Sequence, residues 1–256
     1  MPAVAALLDS RAATAALRRT LPRAGGPLVS CRTPAALDRV LGQRLVDAIV
    51  LAPGTATAVF VTALRSRLPQ IPIIAYAPFR PDDGEVLVTY RRQQVAAVAV
   101  EGVDDAVVGD IVSRCSVTAS RRLAMADAPR ALRLTEPLQR AAWDRLLSQV
   151  ERPVRTVVLA RQLQVSREHL SRQFGAGGAP NLKRVIDLTR IACAAQLLQN
   201  PGYTPAAAVR LLQFASSSHL ASTARRIAGV TTTGLAALGP RGVLAAFVKG
   251  HTRSRR

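Results

Sequence analysis

Five short apolar runs in the first 117 residues set the tightest limits on what this chain can fold into. They are residues 4–9 (VAALLD), 27–32 (PLVSCR), 46–51 (VDAIVL), 71–76 (IPIIAY) and 95–100 (VAAVAV). The runs are near-continuous, not alternating, which is the pattern of strands buried on both faces. Between them lie stretches of helical periodicity. Residues 11–21 follow Asp9 or Ser10 as cap, and Thr33-Pro34 opens a helix to Gln43. Another runs from Ala52-Pro53-Gly54 through Leu68, a weaker one covers 83–93, and a fifth spans 104–115. Five successive β-then-α units predict a parallel sheet covered on both sides, an α/β domain over residues 1–117.

The pattern changes after that. Residues 118–135 are small and Arg-containing, with Pro129 inside, and read as a linker. From residue 136 to 240 the periodicity is helical throughout. Residues 138–150 form one amphipathic helix and 182–198 a longer one. Two stretches repeat one figure. In VVLARQLQVSREHLSRQF (157–174), a short helix through Leu159-Ala160 meets a tight turn at Val165, and Ser166 caps a second helix. Leu170 and Phe174 lie on its inner face, while Arg167, Glu168, His169, Ser171 and Arg172 point outward or flank that face. In the second stretch, Thr204-Pro205 caps a helix to Leu212, and Leu220, Ala224 and Ile227 make an inner stripe. Ser218, Ser222 and Arg225 face the other way, flanked by His219 and Arg226, and Ser217 joins them as a candidate contact residue. The serine run SSSH is therefore expected on a helix, not in a linker.

Charge divides unevenly. The chain carries +19 overall, with net +5 in residues 1–124 and +14 in residues 125–256. Such an excess in one half is the electrostatic footprint of a phosphate-backbone binder. The basic end, residues 241–256, is expected to be a disordered tail that adds sequence-independent attraction. Cys31, Cys115 and Cys193 are far apart and lack CxxC or Cys/His metal spacing. No catalytic residue, metal or cofactor is expected, since neither Cys31 nor Asp9 has a histidine nearby. No apolar run reaches membrane-spanning length, and the N-terminus lacks a basic region before its apolar run, so a cytoplasmic protein without membrane contact is expected.

The first 117 residues resemble the receiver domain of response regulators, through VDAIVLAP at 46–53 and IPII at 71–74. That resemblance implies a flavodoxin-like (βα)5 fold. It also implies a Mg²⁺-assisted phosphoryl site of two acids, an acceptor Asp, a hydroxyl and a Lys. Here Asp9 remains, Ser10 replaces the second acid, Ala52 takes the acceptor position and Ala77 the hydroxyl position, with Gly102 near the lysine position. Phosphotransfer is therefore not expected.

Residues 136–236 resemble the DNA-binding domain of the AraC/XylS family. The matching residues are Leu159-Ala160, Ser166, Leu170, Arg172 and Phe174, then Arg190-Ile191, Ala194 and Leu197-Leu198. Phe214, Ser218, His219, Leu220, Arg225 and Gly229-Val230-Thr231 complete the match. The resemblance implies an all-helical double helix-turn-helix domain in which Arg172 leads base reading and Arg225 and Arg226 hold phosphates. Gln213 stands where that family has Gly. Ala224 and Ala228 stand where it has Phe, and Ser222 replaces a basic residue. A transcriptional regulator of this kind has double-stranded DNA and RNA polymerase as partners, and a homodimer or second protein through the α/β domain. Two rival readings are a small-molecule sensor in the α/β domain and an enzyme with an accessory DNA-binding domain.

Overall fold

The computed structural model describes residues 2–22, 26–150 and 153–253. The chain divides into two compact units, Met1–Ser120 with Asn200–Gly202, and Arg121–Gln199 with Tyr203–Arg256.

The first unit is an α/β fold. Strands β1 (Ala3–Leu7), β2 (Leu28–Cys31), β3 (Val46–Leu51), β4 (Ile73–Ala77) and β5 (Ala97–Val100) alternate with α1 (Arg11–Thr20), α2 (Pro34–Gln43), α3 (Ala58–Arg67), α4 (Gly84–Arg92) and α5 (Val108–Cys115). All strand pairs are parallel and the sheet order is β2-β1-β3-β4-β5, the flavodoxin-like order. Alternate residues of each strand serve opposite faces. Val4, Ala6, Ala48, Val50, Ile74, Tyr76 and Ala99 pack with Ala13 and Leu17 of α1 and Val108 and Val112 of α5. Small residues on the strands let the helices approach closely. At Gly109 a Cβ would lie 2.2 Å from the Thr20 carbonyl carbon, so only glycine fits there.

Several element ends fall inside the predicted ones, and hydrogen bonds account for each. β4 starts at Ile73, not Ile71, because the Ile71 N–H turns back to Leu68 O (3.1 Å). β5 starts at Ala97 because Val95 N–H closes the end of α4 on Tyr90 O (3.0 Å). Asp104 accepts from Val100 N (2.7 Å) and so forms a turn ahead of α5.

The second unit is all-helical apart from the short strand β6 (Phe174–Gly177). It contains α7 (Ala128–Ala131), α8 (Pro137–Ser148), α9 (Thr156–Gln162), α10 (Arg167–Gln173), α11 (Leu182–Leu198), α12 (Pro205–Leu211), α13 (Ser217–Ala228) and α14 (Leu235–Arg253), and α6 (Val117–Ala124) ends in it. α11 is its axis. Every residue from Val185 through Leu197 is buried, including Asp187, Thr189, Arg190 and Gln196. A helix enclosed on every side must satisfy its polar side chains internally.

Two expectations are corrected. Residues 118–135 are not an extended linker, because α6 and α7 occupy much of the segment. Met125, Ala128, Leu132 and Leu134 are buried, and the Arg121 guanidinium, 2% exposed, donates to Gln196 Oε1 (2.8 Å) and Leu147 O (3.3 Å). Pro129 lies in the first turn of α7, where a missing N–H costs nothing. Residues 241–253 are not a disordered tail either. α14 breaks at Gly239 (φ 57°) and then runs helically to Arg253, with Val243, Leu244 and Phe247 buried. It packs on α11, and the Arg184 guanidinium sits 5.0 Å above the Phe247 ring. Only residues 254–256 of the expected tail lie outside the described residues. Phe247→Ala should therefore lower the stability of the helical unit by about 3–5 kcal/mol in a urea melt followed by circular dichroism. A disordered tail would show no change.

Candidate nucleic-acid interface

The two repeated stretches of the helical unit are built from the same bonds. At the end of α9, Gln164 takes a left-handed conformation (φ 57°), with Val165 N–H on Ala160 O (3.0 Å) and Gln164 N–H on Arg161 O (3.1 Å). At the end of α12, Gln213 does the same (φ 52°), with Phe214 N–H on Val209 O (2.9 Å) and Gln213 N–H on Arg210 O (3.3 Å). Both are Schellman endings, which normally take glycine because a Cβ is strained at positive φ. Each turn leads into a serine cap. Ser166 Oγ accepts from His169 N (3.0 Å) to start α10, and Ser216 Oγ accepts from His219 N (3.0 Å) to start α13. Ser216 had not been singled out from the sequence, although its place three residues before His219 is the same as that of Ser166 before His169.

The inner faces are filled as expected, with Leu170, Phe174, Leu220, Ala224 and Ile227 all buried. Arg167, Glu168, His169, Ser171 and Arg172 are exposed together on α10. On α13, Ser217, Ser218, His219, Ser222, Arg225 and Arg226 are exposed. They are not equally free. Ser222 Oγ donates to His219 O (3.1 Å), and Arg226 pairs with Asp187 Oδ2 of α11 (2.9 Å). Arg226 thus joins α13 to the central helix as well as facing solvent. The His219 ring stands edge-on to Phe214, with centroids 5.6 Å apart, and its Nδ1 accepts from Ala215 N (3.4 Å).

Each exposed helix has its own tether, and neither tether is legible in the sequence. α10 is held through Gln139 of α8, which is fully buried. Its amide donates to Gln173 O (2.8 Å), and its Oε1 accepts from Glu136 N (3.1 Å), closing a capping box. The second turn is held through Arg190 of α11, whose Nη2 donates to Leu212 O (3.1 Å) and Gln213 O (3.3 Å). Its guanidinium lies 4.0 Å over the Phe214 ring. Burial pulls the Arg190 pKa down, and nearby Asp187 opposes that shift.

The carboxyl ends of the α/β strands carry the positions that the receiver resemblance singles out. Ala52 is buried, with its N–H on Leu7 O (3.0 Å), and Ala77 is buried at the end of β4. Thr55 Oγ1 donates to both Leu7 O (2.8 Å) and Ala52 O (2.9 Å). Gly54 lies so close to Asp9 that a Cβ would be 2.8 Å from its carboxylate. Gly102 does not occupy the place expected of a lysine. The residue directly after β5 is Glu101, whose N–H bonds Ala77 O (2.9 Å) and whose carboxylate accepts from the Ser10 hydroxyl. A carboxylate therefore follows directly on β5. Beside it, Asp105 accepts from Tyr76 Oη (2.5 Å) and Gly102 N (2.8 Å). The bond from Tyr76 leads in holding the Asp105 carboxyl below its ordinary pKa, while burial first and Asp105 second push the Tyr76 phenol up.

Among the described residues, no group of three His, Cys, Asp or Glu side chains could hold a metal ion, and no helix is long and apolar enough to cross a membrane. Gln164→Gly and Gln213→Gly should each raise stability by about 1 kcal/mol in chemical denaturation, because each removes a Cβ from a left-handed position. A loss on either substitution would contradict the turn geometry.

No family model and no curated protein matches the chain. Among solved structures it is similar to full-length FixJ from B. japonicum, with 14% identity, a TM-score of 0.39, and 88% of this chain and 96% of that chain covered. The fold stated above rests on the strand order and the helices themselves.

Proposed function

We propose that this protein is a sequence-specific, DNA-binding transcriptional regulator with an AraC/XylS-type double helix-turn-helix unit. The observation that carries the proposal is the matched pair of Schellman-ended, serine-capped helix turns, each leading into a helix with an exposed polar face. The excess positive charge of residues 125–256 gives such a unit its affinity for the phosphate backbone. α11 has 17 residues, a length of about 26 Å at 1.5 Å per residue. That length suits two reading helices entering successive major grooves on one side of a duplex. Arg172 is the residue best equipped for bidentate contact to guanine, with Glu168, His169 and Ser171 beside it and Arg167 toward the backbone. On α13 the short hydroxyls of Ser217, Ser218 and Ser222 read weakly, and Arg225 binds phosphate.

The α/β unit regulates without phosphorylation, through contact with a second copy or another protein, and RNA polymerase is the downstream partner. Supporting this are the methyl of Ala52 at the acceptor position and Glu101 at the cation position. The first can neither ligate Mg²⁺ nor take a phosphoryl group, and the second repels one. Incubation with a small-molecule acyl phosphate and Mg²⁺ should leave the intact mass unchanged. A phosphorylated α/β unit would overturn this part of the proposal.

The reading of DNA is tested with a duplex selected by the protein from a random pool. Arg172→Ala should cost about 1–3 kcal/mol of preference for that duplex over a scrambled one. Arg225→Ala should weaken both duplexes alike and reduce the slope of log K against log salt by about 1. Equal losses on both duplexes for Arg172→Ala would remove its assignment as a base reader.

A further inference from the structure

The Arg190 guanidinium is placed to control more than the packing of the core. It is 8% exposed, and its hydrogen bonds and ring contact fall on the turn that launches α13. Nη2 covers the last carbonyls of α12, at Leu212 and Gln213, and the cationic plane lies over Phe214. Phe214 is in turn the ring against which His219 stands edge-on, at the first turn of the exposed helix. The other side of the imidazole is fixed as well, since Nδ1 accepts the Ala215 N–H. A backbone N–H can only donate, so the neutral imidazole must carry its proton on Nε2. The ring edge bearing Nε2 is then the one left to offer a donor.

We propose that Arg190 is the positioning residue of the second reading helix, acting through Phe214 to hold the His219 ring so that Nε2–H is the donor offered to a DNA acceptor. Nη2 alone serves both carbonyls, and the ring contact needs a planar cation. Lysine keeps the charge and could reach a carbonyl, but it offers no planar group to the Phe214 ring. One turn earlier on α11, Asp187 holds Arg226 of α13, so that helix is fixed near its start by a ring contact and near its end by an ion pair.

The DNA-facing half of the proposal rests on the function proposed above, and the arrangement of the rings does not. The test therefore has two arms, both on the full chain. In the first, NMR of the free protein follows contacts between the Phe214 and His219 rings and the ¹⁵N shift of His219 Nδ1, with His219→Gln used for assignment. The wild type should show the ring contacts and a lone-pair Nδ1. Arg190→Lys should lose the contacts and average the ring while the circular dichroism spectrum is retained. If Arg190→Lys does not fold, Phe214→Leu replaces it, since it keeps an apolar side chain and removes the ring. Unchanged ring contacts in a folded Arg190→Lys variant would overturn the positioning role.

In the second arm, binding to the selected and scrambled duplexes is measured across salt concentrations. Arg190→Lys and His219→Gln should each lose about tenfold in preference for the selected duplex. The salt slope should not change for Arg190→Lys, because the residue touches no phosphate. Equal weakening on both duplexes would overturn the proposal for His219 as a reader. If the wild type binds no duplex, the function proposed above fails, and the NMR arm still decides the role of Arg190.

Discussion

The helical unit depends on one constraint, the burial of α11 on every side. An apolar helix could meet that condition with packing alone, but α11 carries Asp187, Thr189, Arg190 and Gln196 into the interior. Thr189 bonds back to Ile186 O within the helix, but an unpaired charge or amide at such depth costs several kcal/mol, so Asp187, Arg190 and Gln196 take partners from other elements. Those partners are the surrounding parts of the unit. Gln196 takes Arg121 from α6, Asp187 takes Arg226 from α13, and Arg190 takes the carbonyl end of α12. Ridge-into-groove packing would allow a surrounding helix to slide or rotate at modest cost. A buried charged hydrogen bond does not, because a shift of an ångström leaves both partners unsatisfied. The polar residues of the axis thereby fix where the second helix turn sits.

The α/β unit shows the same principle with the opposite outcome. At the carboxyl edge of its parallel sheet the polar side chains pair with one another and with the backbone. Ser10 donates to Glu101, Tyr76 donates to Asp105, and Thr55 donates to the carbonyls of Leu7 and Ala52. The hydroxyl donors are used internally, and the carboxylates are held by them.

Local signals in the sequence read well, and distant pairings did not. The five strands were legible because each is a short apolar run, and many helix starts were legible because Thr33, Ser166 and Thr204 are capping residues. The left-handed turn at Gln213 was foreseeable only as a side chain in a place that favours glycine. Gln164, in the equivalent position, gave no such signal. The tail was misread because its cations drew attention away from Val243, Leu244 and Phe247, which share one helical face. The segment around Arg121 was misread because an arginine is seldom buried, and its partner Gln196 lies 75 residues away. Glu101 was missed by a single residue, as strand ends are rarely resolved more finely from pattern. Arg226 was read correctly as exposed, but its ion pair spans 39 residues and leaves no local trace.

The contacts that hold the two exposed helices also differ in chemistry. α10 is held by the neutral amide of Gln139, fully buried, whose hydrogen bonds do not respond to salt. The last turn of α13 is held by an ion pair in which the Arg226 side chain is 48% exposed, so solvent ions reach it and its worth is at most about 1 kcal/mol. Rising ionic strength screens this contact. Salt therefore weakens the contact near the end of α13, while the buried Arg190 contacts at the turn before it and the buried stripe of Leu220, Ala224 and Ile227 keep their strength.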